Sequence, residues 1–113
     1  MTTVTLSLND SGSIVGFFSK GHAGFGQSGS DIVCAGISAI LQTAALGLTQ
    51  VASLSAGVEI DEQRGEMTLL LERDLSEEGR RAADIILNTM RLGLLSLREA
   101  YPRNLKIVER RCK

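Results

Sequence analysis

Val4, Leu6 and Leu8 alternate with Thr3, Thr5 and Ser7. A period of two places one set on each face of a strand. Asn9-Asp10-Ser11-Gly12 has the composition of a turn, and Ile14 to Ser19 is β-branched and aromatic. Together these predict a β-hairpin. Gly21 to Gly29 holds Gly21, Gly24, Gly26 and Gly29, a density that predicts a mobile loop rather than regular structure. From Ile32 to Val58 there is no charged residue. The run is long enough to span a bilayer. However, Ser38, Gln42, Thr43, Thr49, Gln50, Ser53 and Ser55 interrupt it, and Ala and Gly dominate its apolar content. A buried central helix is therefore preferred over a membrane span. Ser30 or Asp31 is placed to cap its start and Gly57 to mark its end. Gly36 and Gly47 predict close packing against a sheet or another helix.

The second half alternates again. Val58 and Ile60 interleave with Glu59 and Asp61, and Met67, Leu69 and Leu71 with Glu66, Thr68 and Glu72, around Arg64-Gly65. This is a second hairpin. Ser76-Glu77-Glu78 opens a helix with acids at its positive end. Ala82, Ala83, Ile86, Leu87, Met90, Leu94 and Leu97 recur at helical spacing until Pro102. Leu105 to Val108 is a last short strand. The order ββαββαβ predicts an α+β fold, an antiparallel or mixed sheet packed by two helices, as one domain over residues 1–113.

Composition narrows this picture. Three Phe, one Tyr and no Trp leave a core that is mostly aliphatic. Twelve basic against thirteen acidic residues, net −1, supply no global field for nucleic acid. Lys20, Asp10, Asp31 and Glu59 are the only charges up to residue 60, which predicts a mostly interior first half and a solvated second half. Two cysteines, Cys34 and Cys112, are too few for a disulfide scaffold. Met1-Thr2-Thr3-Val4-Thr5 lacks the basic and apolar regions of a signal peptide. A reducing cytoplasm is the expected compartment.

Candidate chemistry concentrates in one segment. His22, the single histidine, precedes Cys34 by twelve residues, with the glycine loop between them. Asp31, Cys34 and Ser38, spaced i, i+3 and i+7, share one face of a helix. That polar stripe on an apolar helix suits a substrate-facing edge. The dipole and free N–H groups of a helix start stabilise a thiolate and can donate to an oxyanion. His22, if the loop folds back, pairs with Cys34 as base and nucleophile. Asp31 orients His22 or caps the helix. Structural readings stand beside these. Cys34 is also a small residue suited to burial, His22 a surface side chain, and Ser38 a helix hydroxyl bonded back to the backbone. His22, Cys34 and Asp31 give at most three ligands, so no metal or other cofactor is expected. A phosphate cradle lacks the Lys-Ser/Thr of a P-loop.

Gly21-His22-Ala23-Gly24, followed by Asp31-Ile32-Val33-Cys34-Ala35 and Ser38, resembles the signature of the ribosomal-processing cysteine protease family Prp. The resemblance covers the whole chain. It implies a small cytosolic bacterial homodimer that removes the N-terminal extension of large-subunit ribosomal protein twenty-seven during ribosome assembly. His22 is then the base and Cys34 the nucleophile. Asp31, Ser38, Gly21 and Gly24 support the site, and Phe25, Gly26, Gln27, Ser28 and Gly29 form a loop over the substrate. Phe25-Gly26-Gln27-Ser28 departs from the family pattern, and Gly36 stands where alanine is common. These departures bear on substrate fit rather than on the dyad. The expected partner is the extension peptide, with neither membrane nor direct nucleic-acid contact. The alternatives are a ribosome-assembly or peptide-binding module using the same groove without chemistry, and a structural protein in which the uncharged helix is an interface.

Overall fold

The computed structural model of the chain describes residues 1–21 and 28–111, with the backbone alone over 28–31. The elements run β1 (Thr2–Leu8), β2 (Ile14–Lys20), α1 (Ser28–Leu46), β3 (Ala56–Asp61), β4 (Glu66–Leu71), α2 (Glu77–Ala100) and β5 (Leu105–Arg111). They form one mixed five-stranded sheet in the order β3-β4-β2-β1-β5. β1–β2, β2–β4 and β3–β4 are antiparallel, and β1–β5 is parallel. The fold is α+β, as the pattern predicts.

The alternation in β1 turns Val4 and Leu6 inward, both fully buried. Their partners across the hairpin are Ser19 and Phe17, and a register shift between Ser7 and Leu8 pairs Leu8 with Ile14. The extra residue lets Ile14 and Phe17, three apart in sequence, both enter the core. Met67, Leu69 and Leu71 extend the same face through β4, and Leu105 through β5. Val33, Ile37, Leu41 and Leu48 of the α1 segment and Ala83, Leu87, Met90 and Leu94 of α2 close one contiguous core over it. Among the described residues, Phe17 is its one aromatic side chain.

Ser76 caps α2 with its hydroxyl, accepting from the Gly79 N–H at 3.0 Å. Glu77 and Glu78 sit in the first turn and Arg98 in the last, matching the helix dipole at both ends.

Three expectations about the uncharged helix need correction. It starts at Ser28, so Ser28 and Gly29 belong to its first turn and Ser30 and Asp31 lie inside it. The helix does not run to Gly57, which lies in β3. It passes into a π-helical turn at Gly47–Val51. The Ala52 N–H donates to the Gly47 carbonyl and the Leu54 N–H to the Leu48 carbonyl, both at 2.9 Å. Ser53, at φ 55°, turns the chain through the left-handed region in place of glycine. Nor is the helix buried all round. Only 33% of the apolar stretch Ile32–Val51 is buried, and Ile32, Leu46 and Val51 face outward. Its inner stripe packs on the sheet, so its length and apolarity serve a one-sided contact. The packing inferred from Gly36 and Gly47 is present: a Cβ on either would stand 3.4 Å from Leu97 or Ile86 of α2.

Candidate active site

Cys34 lies on α1 six residues past Ser28, about 9 Å along the axis at ~1.5 Å per residue. The expectation that it sits among the free N–H groups of the helix start is therefore corrected. Those groups belong to residues 28–31, and the Cys34 N–H is bonded within the helix. The side chain still points back toward that end, because Cβ vectors tilt toward a helix N-terminus.

The sulfur is half-buried and carries a thiol. It opens onto a cleft of about 270 Å³ between α1 and the ends of β2, β3 and β4. Ser38 and Gln42 continue the wall on the α1 side. Ile60 and Met67 supply apolar surface opposite, and Gly21 and Gly65 form the end where β2 meets the β3–β4 turn. The Gly21 N–H donates to the Gly65 carbonyl at 3.3 Å and ties those elements together. A second, apolar groove shares Gln42, Ile60 and Met67 with the cleft and runs on past Leu46, Thr49 and Val58. The result is a track along α1, open to an extended chain.

The charged residues lining the cleft, among the described residues, are Asp61, Glu62 and Glu66. Asp61 accepts from the Arg64 N–H at 3.1 Å and pairs weakly with its side chain at 3.8 Å. The cleft mouth is thus rimmed by three acids, partly offset by Arg64 on Asp61 and by Lys20 across the ladder from Glu66. Among the described residues no three His, Cys, Asp or Glu side chains gather as a metal would need.

Of the predicted site residues, the structure brings Cys34, Ser38 and Gly21 to one cleft. Asp31 is on α1 one turn before Cys34, with its side chain outside the described residues. Ser28 and Gly29 are described as first-turn backbone. His22, Gly24, Phe25, Gly26 and Gln27 lie outside the described residues, as does Cys112.

The pattern reading missed Thr2. The residue is 3% exposed, and its Oγ1 lies 3.9 Å from Cys34 Sγ and 3.4 Å from the Gly21 carbonyl. The signal was present. Thr2 shares the parity of Val4 and Leu6, so it is a hydroxyl on the inward face of β1.

A thiol facing an open cleft, on a helix that packs against a mixed sheet, is the placement that a cysteine nucleophile acting on an extended chain requires. The family model of cysteine protease Prp matches residues 1–106. The ribosomal processing cysteine protease Prp of Staphylococcus aureus is 31% identical over 107 residues, covering 95% of this chain and 97% of the relative. A crystal structure of the essential ribosomal processing protease Prp from S. aureus with a substrate peptide superposes with a TM-score of 0.84 at 29% identity, over 97% of this chain and all of that one. A second, with a covalently linked product peptide, gives 0.82 at 29% identity over the same shares. The chain belongs to the cysteine protease Prp family.

Proposed function

We propose that this protein is a cytoplasmic cysteine endopeptidase that removes the N-terminal extension of large-subunit ribosomal protein twenty-seven during ribosome assembly. The observation that carries the reading is the placement of Cys34: half-buried on α1, with its sulfur in the wall of an open track. Membership of the family supports the peptidase chemistry, and the peptide complexes of the S. aureus relative support an extended peptide as substrate.

In the proposed mechanism His22 takes the thiol proton as the Cys34 sulfur attacks the scissile carbonyl. The tetrahedral intermediate collapses with cleavage of the C–N bond, and His22 returns the proton to the leaving amine. That amine is the new N-terminus of the shortened ribosomal protein; water then attacks the thioester, again with His22 as base, and releases the excised extension as the acyl product with the thiol restored. Asp31 and Ser38 share the helix face of Cys34 as supporting residues.

The protein acts as a homodimer in this reading. The support is an apolar groove between α1 and α2, lined by Ile40, Gly47, Ile85, Ile86 and Gly93, beside an Ile85 that is 69% exposed. Contiguous apolar surface of this kind marks interaction sites.

Incubation with a synthetic peptide spanning the extension junction tests the activity. The parent protein cleaves it once, and Cys34→Ala, with unchanged thermal unfolding, does not. A folded parent that binds the peptide without cutting it points instead to a non-catalytic binding module.

A further inference from the structure

Thr2 is an unexpected residue for its place. β1 turns Thr2, Val4 and Leu6 toward the helices, and all three are nearly inaccessible. Valine has the same shape and no polar atom to satisfy. A hydroxyl buried there must find partners or cost stability. Its partners are the Gly21 carbonyl, to which Oγ1 donates at 3.4 Å, and the Cys34 sulfur at 3.9 Å. Both contacts are long for hydrogen bonds of full strength, so stability alone is a poor reason for a threonine.

The two partners are informative. Cys34 is the proposed nucleophile, and Gly21 is the residue immediately before His22. The hydroxyl thus stands between the helix that carries the sulfur and the strand end that leads into the imidazole. Its own backbone is held firmly, because the Thr2 N–H donates to the Asn104 carbonyl at 2.9 Å and β1 pairs on both sides. Gly21 is held in turn by Gly65. A rigid central strand is a good anchor for a group that must set a separation.

We propose that Thr2 is a positioning residue that fixes the Cys34 sulfur relative to the strand end carrying His22, and donates to that sulfur when it is anionic. In the resting thiol, Oγ1 donates to the Gly21 carbonyl and accepts the S–H. When the proton leaves for His22, the same hydroxyl rotates to donate to the thiolate. A bond to an ionised acceptor is about twice as strong as a neutral one. The sulfur carries this charge twice per turnover, before attack and again as thioester hydrolysis expels it. No proton is gained or lost by Thr2. The inference rests on Cys34 as nucleophile, but its link to the sulfur is measurable without peptide cleavage.

The test compares Thr2→Val and Thr2→Ser with the parent. Two rates are measured at one near-neutral pH: iodoacetamide alkylation of Cys34, resolved from Cys112 by peptide mapping, and cleavage of the extension peptide. Loss of one charge-assisted bond predicts that Thr2→Val slows alkylation and lowers kcat by about tenfold or more, with KM within about twofold. Thr2→Ser recovers most of both rates, because it keeps the hydroxyl and loses only a methyl. Thermal unfolding of Thr2→Val stays close to that of the parent. Parent-like alkylation and kcat in Thr2→Val would overturn the inference. So would a Thr2→Ser as impaired as Thr2→Val, which assigns the effect to packing of the methyl. If the parent cuts no peptide, the protease reading falls, while the alkylation comparison still decides the role of Thr2.

Discussion

Gly21 lies so close to Met1 that a Cβ added to it would stand 2.6 Å from the Met1 carbonyl oxygen. The same residue has φ +120°, where side chains are rarely accommodated. Glycine is therefore required here by both space and backbone, at the junction between β2 and the proposed base. Gly21→Ala must push β1 and β2 apart or twist the strand end. The expected cost is about 1–3 kcal/mol in urea unfolding. A larger fractional loss is expected in peptide cleavage, because the movement falls beside the site. An alanine variant with parent stability and activity would contradict this placement.

His22→Ala is expected to leave folding intact and to slow both Cys34 alkylation near neutral pH and peptide turnover. General-base assistance is worth roughly 10²–10⁴-fold, so turnover falls within that range. Equal alkylation rates in variant and parent would dissociate His22 from the sulfur.

Asp61, Glu62 and Glu66 give the cleft mouth its charge. Peptides carrying Lys or Arg near the scissile bond are expected to bind better than acidic counterparts, and salt is expected to narrow the difference. Glu62→Lys reduces the preference by a few-fold, in keeping with about 0.2–1 kcal/mol for an exposed charge pair. KM values for the two peptide sets at low and high ionic strength check this. Identical KM values at low salt would remove the acids from specificity.

Ser76 accepts from the Gly79 N–H and starts the long helix that closes the core. Ser76→Ala is expected to cost about 1 kcal/mol, the usual value of an N-cap. Urea unfolding reads it directly, and cleavage per folded molecule stays unchanged because α2 does not line the cleft.

Much of this fold can be read in periodicity. Period two in Val4/Leu6 and Met67/Leu69/Leu71 and helical spacing in Ala83/Leu87/Met90/Leu94 mark residues that the structure buries. Each of these patterns records a single face pressed on a core. Where no such asymmetry exists, the pattern fails. The uncharged stretch gives no sign of where helix yields to strand, so its end is set by a π-helical turn and by Ser53 rather than by Gly57. β3 has the expected alternation, but Val58 and Ile60 remain 40% and 52% exposed, because an open groove separates this edge strand from α1. The pairing of β2 with β4, across an intervening helix, leaves no local trace.

The site shows the same division. Cys34 and Ser38 are legible together because helix spacing fixes their relation, and Gly21 is legible through its motif. Thr2 and the acids of the β3–β4 turn join them only through the sheet order, which brings the start of β1 and the β3–β4 turn to the same end of β2.

The most direct test of the account is the covalent intermediate itself. Parent protein is mixed with the extension peptide, quenched in acid within the first turnover, and its intact mass and peptide map are measured. The account predicts a mass increase equal to the acyl fragment, mapped to Cys34 and lost on longer incubation. An acyl group carried by another residue, or cleavage that persists in Cys34→Ala, would contradict it.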